Sequence, residues 1–232
     1  MHFTSETRIL VVAAHPDDEI LGCGGTLAKA VALGCRVAVL FLGEGVSARF
    51  PVGQYDSREY REQRAQREQE AARALAVLGI PDICFGSRYS CQFDTVPLIS
   101  MVKEIESHLQ RFRPTVLFTH NPAEVNVDHR ITYHAVESAC RPTQPWVPRE
   151  IYAFEIVCSG GWTFETSFKP NIFVDIGEYW QQKLRAWDCY ASEARPFPFP
   201  RSHQGLCALA NYRGMSAGVA LAEGFALMRQ VL

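Results

Sequence analysis

The 232 residues are 47% hydrophobic, with a formal charge of −2 and a pI near 6.4. That apolar content is enough for a full core, while the near-neutral balance and the absence of a local basic cluster argue against nucleic-acid binding. No apolar run approaches the roughly 20 residues that span a bilayer, and Met1 to Thr7 lacks a signal-peptide core, so a soluble cytoplasmic protein with no membrane span is expected.

The first element is a strand over residues 8 to 14. Ile9 to Ala14 are apolar without alternation, as in a parallel strand covered on both faces. Pro16 suits a first helical position, and Asp17, Asp18 and Glu19 complement a helix dipole, so the strand should hand over directly to a helix over 20–33 that stops at Gly34. His15 and Asp18, three positions apart, converge on one point if that turn is helical, with Asp17 between them. The segment admits three roles: solvated helix-start acids, a phosphate loop, or a divalent-cation site at the carboxyl end of a strand. Three carboxylates where an anion would sit disfavour the phosphate loop, and a cation site leaves a further ligand to be found elsewhere.

Residues 35–42 form a second strand and complete a β-α-β unit; further strands at 82–86 and 115–119 are separated by helix-length segments at 56–78 and 97–111. The expectation is one domain over residues 1–232, an α/β doubly wound, Rossmann-like fold with a mainly parallel sheet. The loop 43–50 follows the second strand and lies on the side where such sheets place their sites. The charged helix 56–78 contains Arg67-x-x-Glu70-x-x-x-Ala74-x-x-x-Leu78-Gly79, in helical register up to a glycine stop.

The strand 115–119 runs into His120, a candidate acid or oxyanion group by position, with a packed loop histidine as the alternative. Its following loop, through Asn126-Val127-Asp128-His129-Arg130, can face the first loop across the strand ends. Asp128 is placed either to cap a helix or to orient a neighbouring group from behind. Strands are expected at 151–156 and 171–176, a helix at 177–193, and a terminal helix running through 213–225. Between the two strands, Trp162 is read as a hydrophobic plug in preference to a sugar platform. The eight cysteines show no paired spacing and read as buried apolar groups in a reducing compartment.

Ala14-His15-Pro16-Asp17-Asp18-Glu19 after a first strand resembles the PIG-L/LmbE-like zinc-dependent N-deacetylases. The Arg67 to Gly79 helix is similar to one of that family, and Asn126 to Arg130 and Arg213 to Phe225 are similar to one branch of it, so the likeness covers nearly the whole chain. It implies a zinc site of His15, Asp18 and His129 with an open position for water, other divalent ions being compatible, and Asp17 as general base. It also implies Arg67, Glu44, Arg49 and Asn126 on the substrate side. The implied activity is hydrolytic removal of an N-acetyl group from an amino sugar or its conjugate by metal-activated water, and the sequence is compatible with a homo-oligomer.

Three positions depart from the family pattern. Asn126 stands in place of the first His of the family's usual His-Pro-Asp-His, Ser90 stands where close relatives carry an acid, and Phe199 stands where the Asn126 branch usually has a histidine. The proton donor is then expected to be His120, with His203 as rival and Asp17 returning its own proton as the fallback. Asn126, Ser90 and Phe199 together also suggest an alternative: a catalytically silent member that acts as a carbohydrate-binding module.

Overall fold

The computed structural model describes residues 1–157, 159–164 and 167–232. Seven strands form one sheet: β1 (Arg8–Ala13), β2 (Arg36–Gly43), β3 (Asp82–Arg88), β4 (Val116–His120), β5 (Glu150–Phe154), β6 (Ile172–Asp175) and β7 (Ala222–Gln230), in the order β3-β2-β1-β4-β5-β7-β6. The first five strands in that order run parallel, and β7 is antiparallel to both its neighbours. Each parallel step is bridged by a helix: α1 (Asp18–Ala32), α2 (Arg58–Leu78), α3 (Leu98–Phe112) and α4 (Val127–Ala139), followed by α5 (Trp180–Asp188) and α6 (His203–Ala217). The sheet is therefore a doubly wound, mainly parallel α/β sheet.

The apolar run of β1 divides between two cores because successive side chains point to opposite faces. Ile9, Val11 and Ala13 pack with residues of α1, α2, α5 and α6, whereas Leu10, Val12 and Ala14 pack with α3 and α4. Since β1 pairs with β2 on one side and β4 on the other, the chain order reverses at β1, and the loops leaving β1 and β4 open onto the same crevice.

Helix α1 is drawn close to its neighbours by glycine. A Cβ on Gly22 would lie 2.4 Å from the Phe154 ring, and one on Gly25 would lie 2.9 Å from Ile176. Where α1 packs against α5, Lys183 Nζ donates to the Leu21 carbonyl at 3.0 Å and to Glu223 Oε1 at 2.6 Å, and Glu223 in turn accepts from the Gly25 and Thr26 amides. The strand carrying Glu223 is thereby fixed to the helix that begins at the site.

Two elements differ from the sequence expectation. The helix expected through 213–225 ends at Ala217, where Gly218 takes φ 73°, and the chain returns as β7. Pairing with β5 and β6 outweighs the helical pattern there. The helix expected over 177–193 is a short 3-10 turn and then α5, and residues 190–202 leave helical geometry to bind the start of α1 through their side chains. Among the described cysteines Cys91 is exposed, while Cys158 lies outside the described residues. Trp162 is 58% exposed and is not a plug. Among the described residues no helix is long and apolar enough to cross a membrane.

Candidate metal centre

Strand β1 delivers Ala14, His15, Pro16 and Asp17 to the crevice, and α1 starts at Asp18. Asp17 is the N-cap of α1 at φ 124°, a backbone conformation that costs a non-glycine residue on the order of 1–3 kcal/mol. Glu19 bears part of that strain. Its Oε2 accepts the Asp17 amide at 3.0 Å, and its Oε1 accepts the Tyr190 hydroxyl at 2.5 Å. Burial pushes the Glu19 carboxyl up to about 8, against those two hydrogen bonds.

His15, Asp18 and His129 are all buried, and one ligand atom from each lies within 4.8 Å of the others. His15 Nδ1 is 3.6 Å from Asp18 Oδ2, and His129 Nε2 is 3.4 Å from Asp18 Oδ1. Ligands about 2.0–2.2 Å from a tetrahedral cation sit roughly 3.3–3.6 Å from one another, so these spacings suit a zinc-sized ion. Asp18 Oδ1 and His129 Nε2 are also buried without a hydrogen-bond partner. Two facing polar atoms left unsatisfied inside a protein cost more than they return unless something binds between them. Among the described residues no other three His, Cys, Asp or Glu groups close in this way.

Behind each histidine stands a carboxylate. His15 Nε2 lies 2.8 Å from Asp128 Oδ2, and His129 Nδ1 lies 3.3 Å from Glu124 Oε2. Such pairing fixes which ring nitrogen faces a cation and raises its basicity. Asp128 is itself held by the amides of Cys91 at 2.5 Å and Phe93 at 3.0 Å, and Glu124 by Asn121 Nδ2, the Ile156 amide and the Ser159 hydroxyl. For His15 burial acts to lower the pKa, but hydrogen bonds to Asp128 and Asp18 outweigh it and raise the ring to about 10. Asp18 is opposed by burial too, yet its interactions with the surrounding imidazoles of His129, His120 and His15 hold it well below the ordinary carboxylate range.

Asp17 lies beside this set, within reach of the charges of Asp18 and His15, without being one of its three ligand groups. Its Oδ2 accepts from Arg201 Nη1 at 2.8 Å and is 3.6 Å from Arg67 Nη1. Burial raises its pKa, only partly offset by Arg201. It is therefore a carboxylate that can both take and return a proton.

His120 occupies a different place from the proton donor expected of it. It is fully buried, its Nε2 accepts the Ala14 amide at 3.0 Å, and its ring stacks on His129 at 4.0 Å. Burial, with the neighbouring His129, pushes it down to about 4, so it is neutral and carries its proton on Nδ1. The rival, His203, is on the surface with Asp188. His120 thus lies behind the ligands, stacked on the His129 ring.

The residues expected on the substrate side are mostly occupied. Glu44 is 1% exposed and accepts from the Val46, Ser47 and Ser90 amides and from both serine hydroxyls. Arg67 is 2% exposed and donates to the Pro16 carbonyl, Ser192 and Glu193. Arg49 is exposed but ion-paired with Glu193. Asn126 caps α4, its Oδ1 accepting the Asp128 amide at 2.9 Å.

The sequence pattern does not single out Glu124, Glu193 or Arg201. An acid in the loop that follows β4 is the available sequence signal for Glu124, and Arg201 stands two positions after Phe199 with no motif of its own.

A family model described as PIG-L, GlcNAc-PI de-N-acetylase, matches residues 10–140. The chain is 29% identical over 230 residues to diacetylchitobiose deacetylase of Thermococcus kodakarensis, covering 96% of this chain and 83% of that one. The crystal structure of the conserved protein TT1542 from Thermus thermophilus superposes with a TM-score of 0.73 at 28% identity, covering 97% and 95% of the two chains. GalB, the 4-carboxy-2-hydroxymuconate hydratase of Pseudomonas putida KT2440, is similar in fold alone, with a TM-score of 0.78 at 21% identity over 97% and 98%.

Proposed function

The chain belongs to the PIG-L family, and from that premise we propose that it is a metal-dependent hydrolase that removes the N-acetyl group of an amino sugar or amino-sugar conjugate, with zinc at His15, Asp18 and His129. The observation that carries this reading is the pair of buried, partnerless atoms Asp18 Oδ1 and His129 Nε2, facing each other beside a carboxylate that is not part of the set. Diacetylchitobiose deacetylase and a 1D-myo-inositol 2-acetamido-2-deoxy-α-D-glucopyranoside deacetylase among the relatives support the substrate class. A cytoplasmic setting belongs to the same proposal, supported by free thiols at all seven described cysteines.

When bound, a divalent cation in this position lowers the pKa of a water from about 15.7 toward 7 and polarises the acetyl carbonyl. Asp17 takes the proton of that water as its oxygen attacks the carbonyl carbon, and gives it back to the nitrogen as the C–N bond breaks, leaving acetate and a free amine. Burial suits Asp17 to both halves of this exchange, because it raises the carboxyl toward the pH at which it works. Arg201 holds the carboxylate in place. His120 keeps the His129 ring in its plane and excludes water behind it.

Because a hydratase shares the fold, the fold does not choose the reaction. The direct test is acetate release from N-acetylglucosamine, diacetylchitobiose and an N-acetylglucosaminyl inositol, with and without a chelator. Chelator-sensitive acetate from at least one of them is expected. Sugar binding without acetate release in metal-loaded protein would instead favour the silent carbohydrate-binding alternative.

A further inference from the structure

Residues 190–202, between α5 and α6, send polar side chains back to the start of α1: Tyr190 reaches Glu19, 171 positions away in the chain, and Arg201 reaches Asp17, 184 positions away. Glu193 is the centre of this return. It is 7% exposed, and its two oxygens have separate partners: Oε1 accepts from Arg49 and Arg67, and Oε2 accepts from Arg201 Nη1 at 3.1 Å. The same Arg201 nitrogen donates to Asp17 Oδ2 at 2.8 Å. One amino group with two hydrogens therefore bridges Glu193 and Asp17, and its direction is set at both ends.

Glu193 also governs how many guanidinium groups reach Asp17. Arg67 Nη1 lies 3.6 Å from Asp17 Oδ2, while Arg67 Nη2 is taken by Glu193 and Ser192. Without Glu193, Arg49, Arg67 and Arg201 would be left to repel one another, with Asp17 and Glu70 as the remaining acids at hand. With it, Arg201 is the single guanidinium at hydrogen-bond distance. Both arginine contacts fall on Oδ2, so Oδ1 is the oxygen left to handle a proton.

Tyr190, from the same segment, acts on the other end of Asp17. Its hydroxyl fixes Glu19, and Glu19 holds the Asp17 amide in its positive-φ conformation. Burial of arginines alone would be served by Glu193 Oε1. The use of Oε2 on Arg201, and of Tyr190 on Glu19, points to Asp17.

We propose that Glu193 and Tyr190 are positioning residues for the hydrolysis: Glu193 orients the Asp17 carboxylate through Arg201, and Tyr190 orients its backbone through Glu19. This inference rests on the reading of Asp17 as the proton-handling group. It is tested by a mutant cycle on acetate release, with kcat, KM and zinc content measured for Glu193→Gln, Tyr190→Phe and Arg201→Ala, each in the wild-type and Asp17→Asn backgrounds. In the wild-type background kcat falls about tenfold or more while KM stays within about twofold and zinc content is unchanged; in the Asp17→Asn background the same changes cost less than about twofold. Guanidinium added to Arg201→Ala restores turnover only where Asp17 is present.

Losses that multiply in both backgrounds, or that appear in KM or zinc content, overturn the proposal. If Glu193→Gln does not fold, Arg201→Ala, whose side chain is 24% exposed, decides through the same cycle and the rescue. Absence of acetate release in the zinc-loaded wild-type protein overturns the deacetylase reading itself. Wild-type turnover with multiplicative variants overturns only the positioning roles.

Discussion

Asp128 Oδ2 lies 2.8 Å from Nε2 of His15, a residue 113 positions earlier in the chain. The acid that immediately precedes His129 thus holds the other histidine of the cluster, and the two loops of the crevice are locked to one another by their own chemistry. Glu124 does the same for His129 from within the second loop.

Asp128→Asn and Glu124→Gln should therefore each weaken zinc binding by about 10- to 100-fold without removing a ligand. Competition with a chromophoric chelator measures the change. His15→Ala and His129→Ala should lose stoichiometric zinc altogether, and unaltered affinity in all four variants would exclude this centre.

Asp17→Asn should keep its zinc and its fold while turnover falls by about 10²- to 10⁴-fold, the usual range for a lost general base. The Arg201 contact survives because the amide oxygen still accepts. Near wild-type acetate release by this variant, with metal content confirmed, would exclude Asp17 from proton transfer.

Zinc affinity should rise with pH. His15 with no cation bound holds its proton up to about 10, chiefly through Asp128 and Asp18 against the opposing effect of burial, and that proton must leave for Nδ1 to bind metal. Below that value each unit of acidification should weaken binding by about tenfold, and above it the dependence should flatten. Chelator competition between about pH 6 and 9 checks the slope; a flat profile would mean that His15 binds without releasing a proton.

Gly22→Ala should destabilise the protein by about 1–3 kcal/mol, since its Cβ would fall 2.4 Å from Phe154, a ring buried against His120. At this chain length that corresponds to a fall in Tm of roughly 2–4 °C per kcal/mol. Gly161→Ala, with open space at its Cβ, serves as the control and should leave Tm unchanged.

Much of the fold could be read from the chain because parallel strands buried on both faces appear as unbroken apolar runs, and Ile9 to Ala14, Val37 to Leu42 and Val116 to Phe118 are such runs. The nearness of His15 to Asp18 was legible from their spacing, but the helical turn expected to produce it is absent: α1 begins only at Asp18, Asp17 takes φ 124°, and a turn closed by the Asp18 amide on the His15 carbonyl brings the two together. β7 was not legible. Its sequence, with Glu223, Gly224 and Arg229, has no strand pattern of its own and becomes a strand because β5 and β6 offer it backbone partners on both sides. The same holds for Glu124 behind His129 and for the arginines on Asp17, whereas Asp128 was legible as a capping or orienting acid but not as the partner of His15. Asp128, Glu193 and Arg201 acquire their roles only when the loop after β4 and the segment after α5 meet the end of β1, a contact that local spacing cannot encode and that the packing of the α/β layers alone decides. Even His120, placed at a strand end by its position in the chain, is enclosed, because the rings of His129 and Phe154 that pack on it come from elements whose meeting is not visible in sequence.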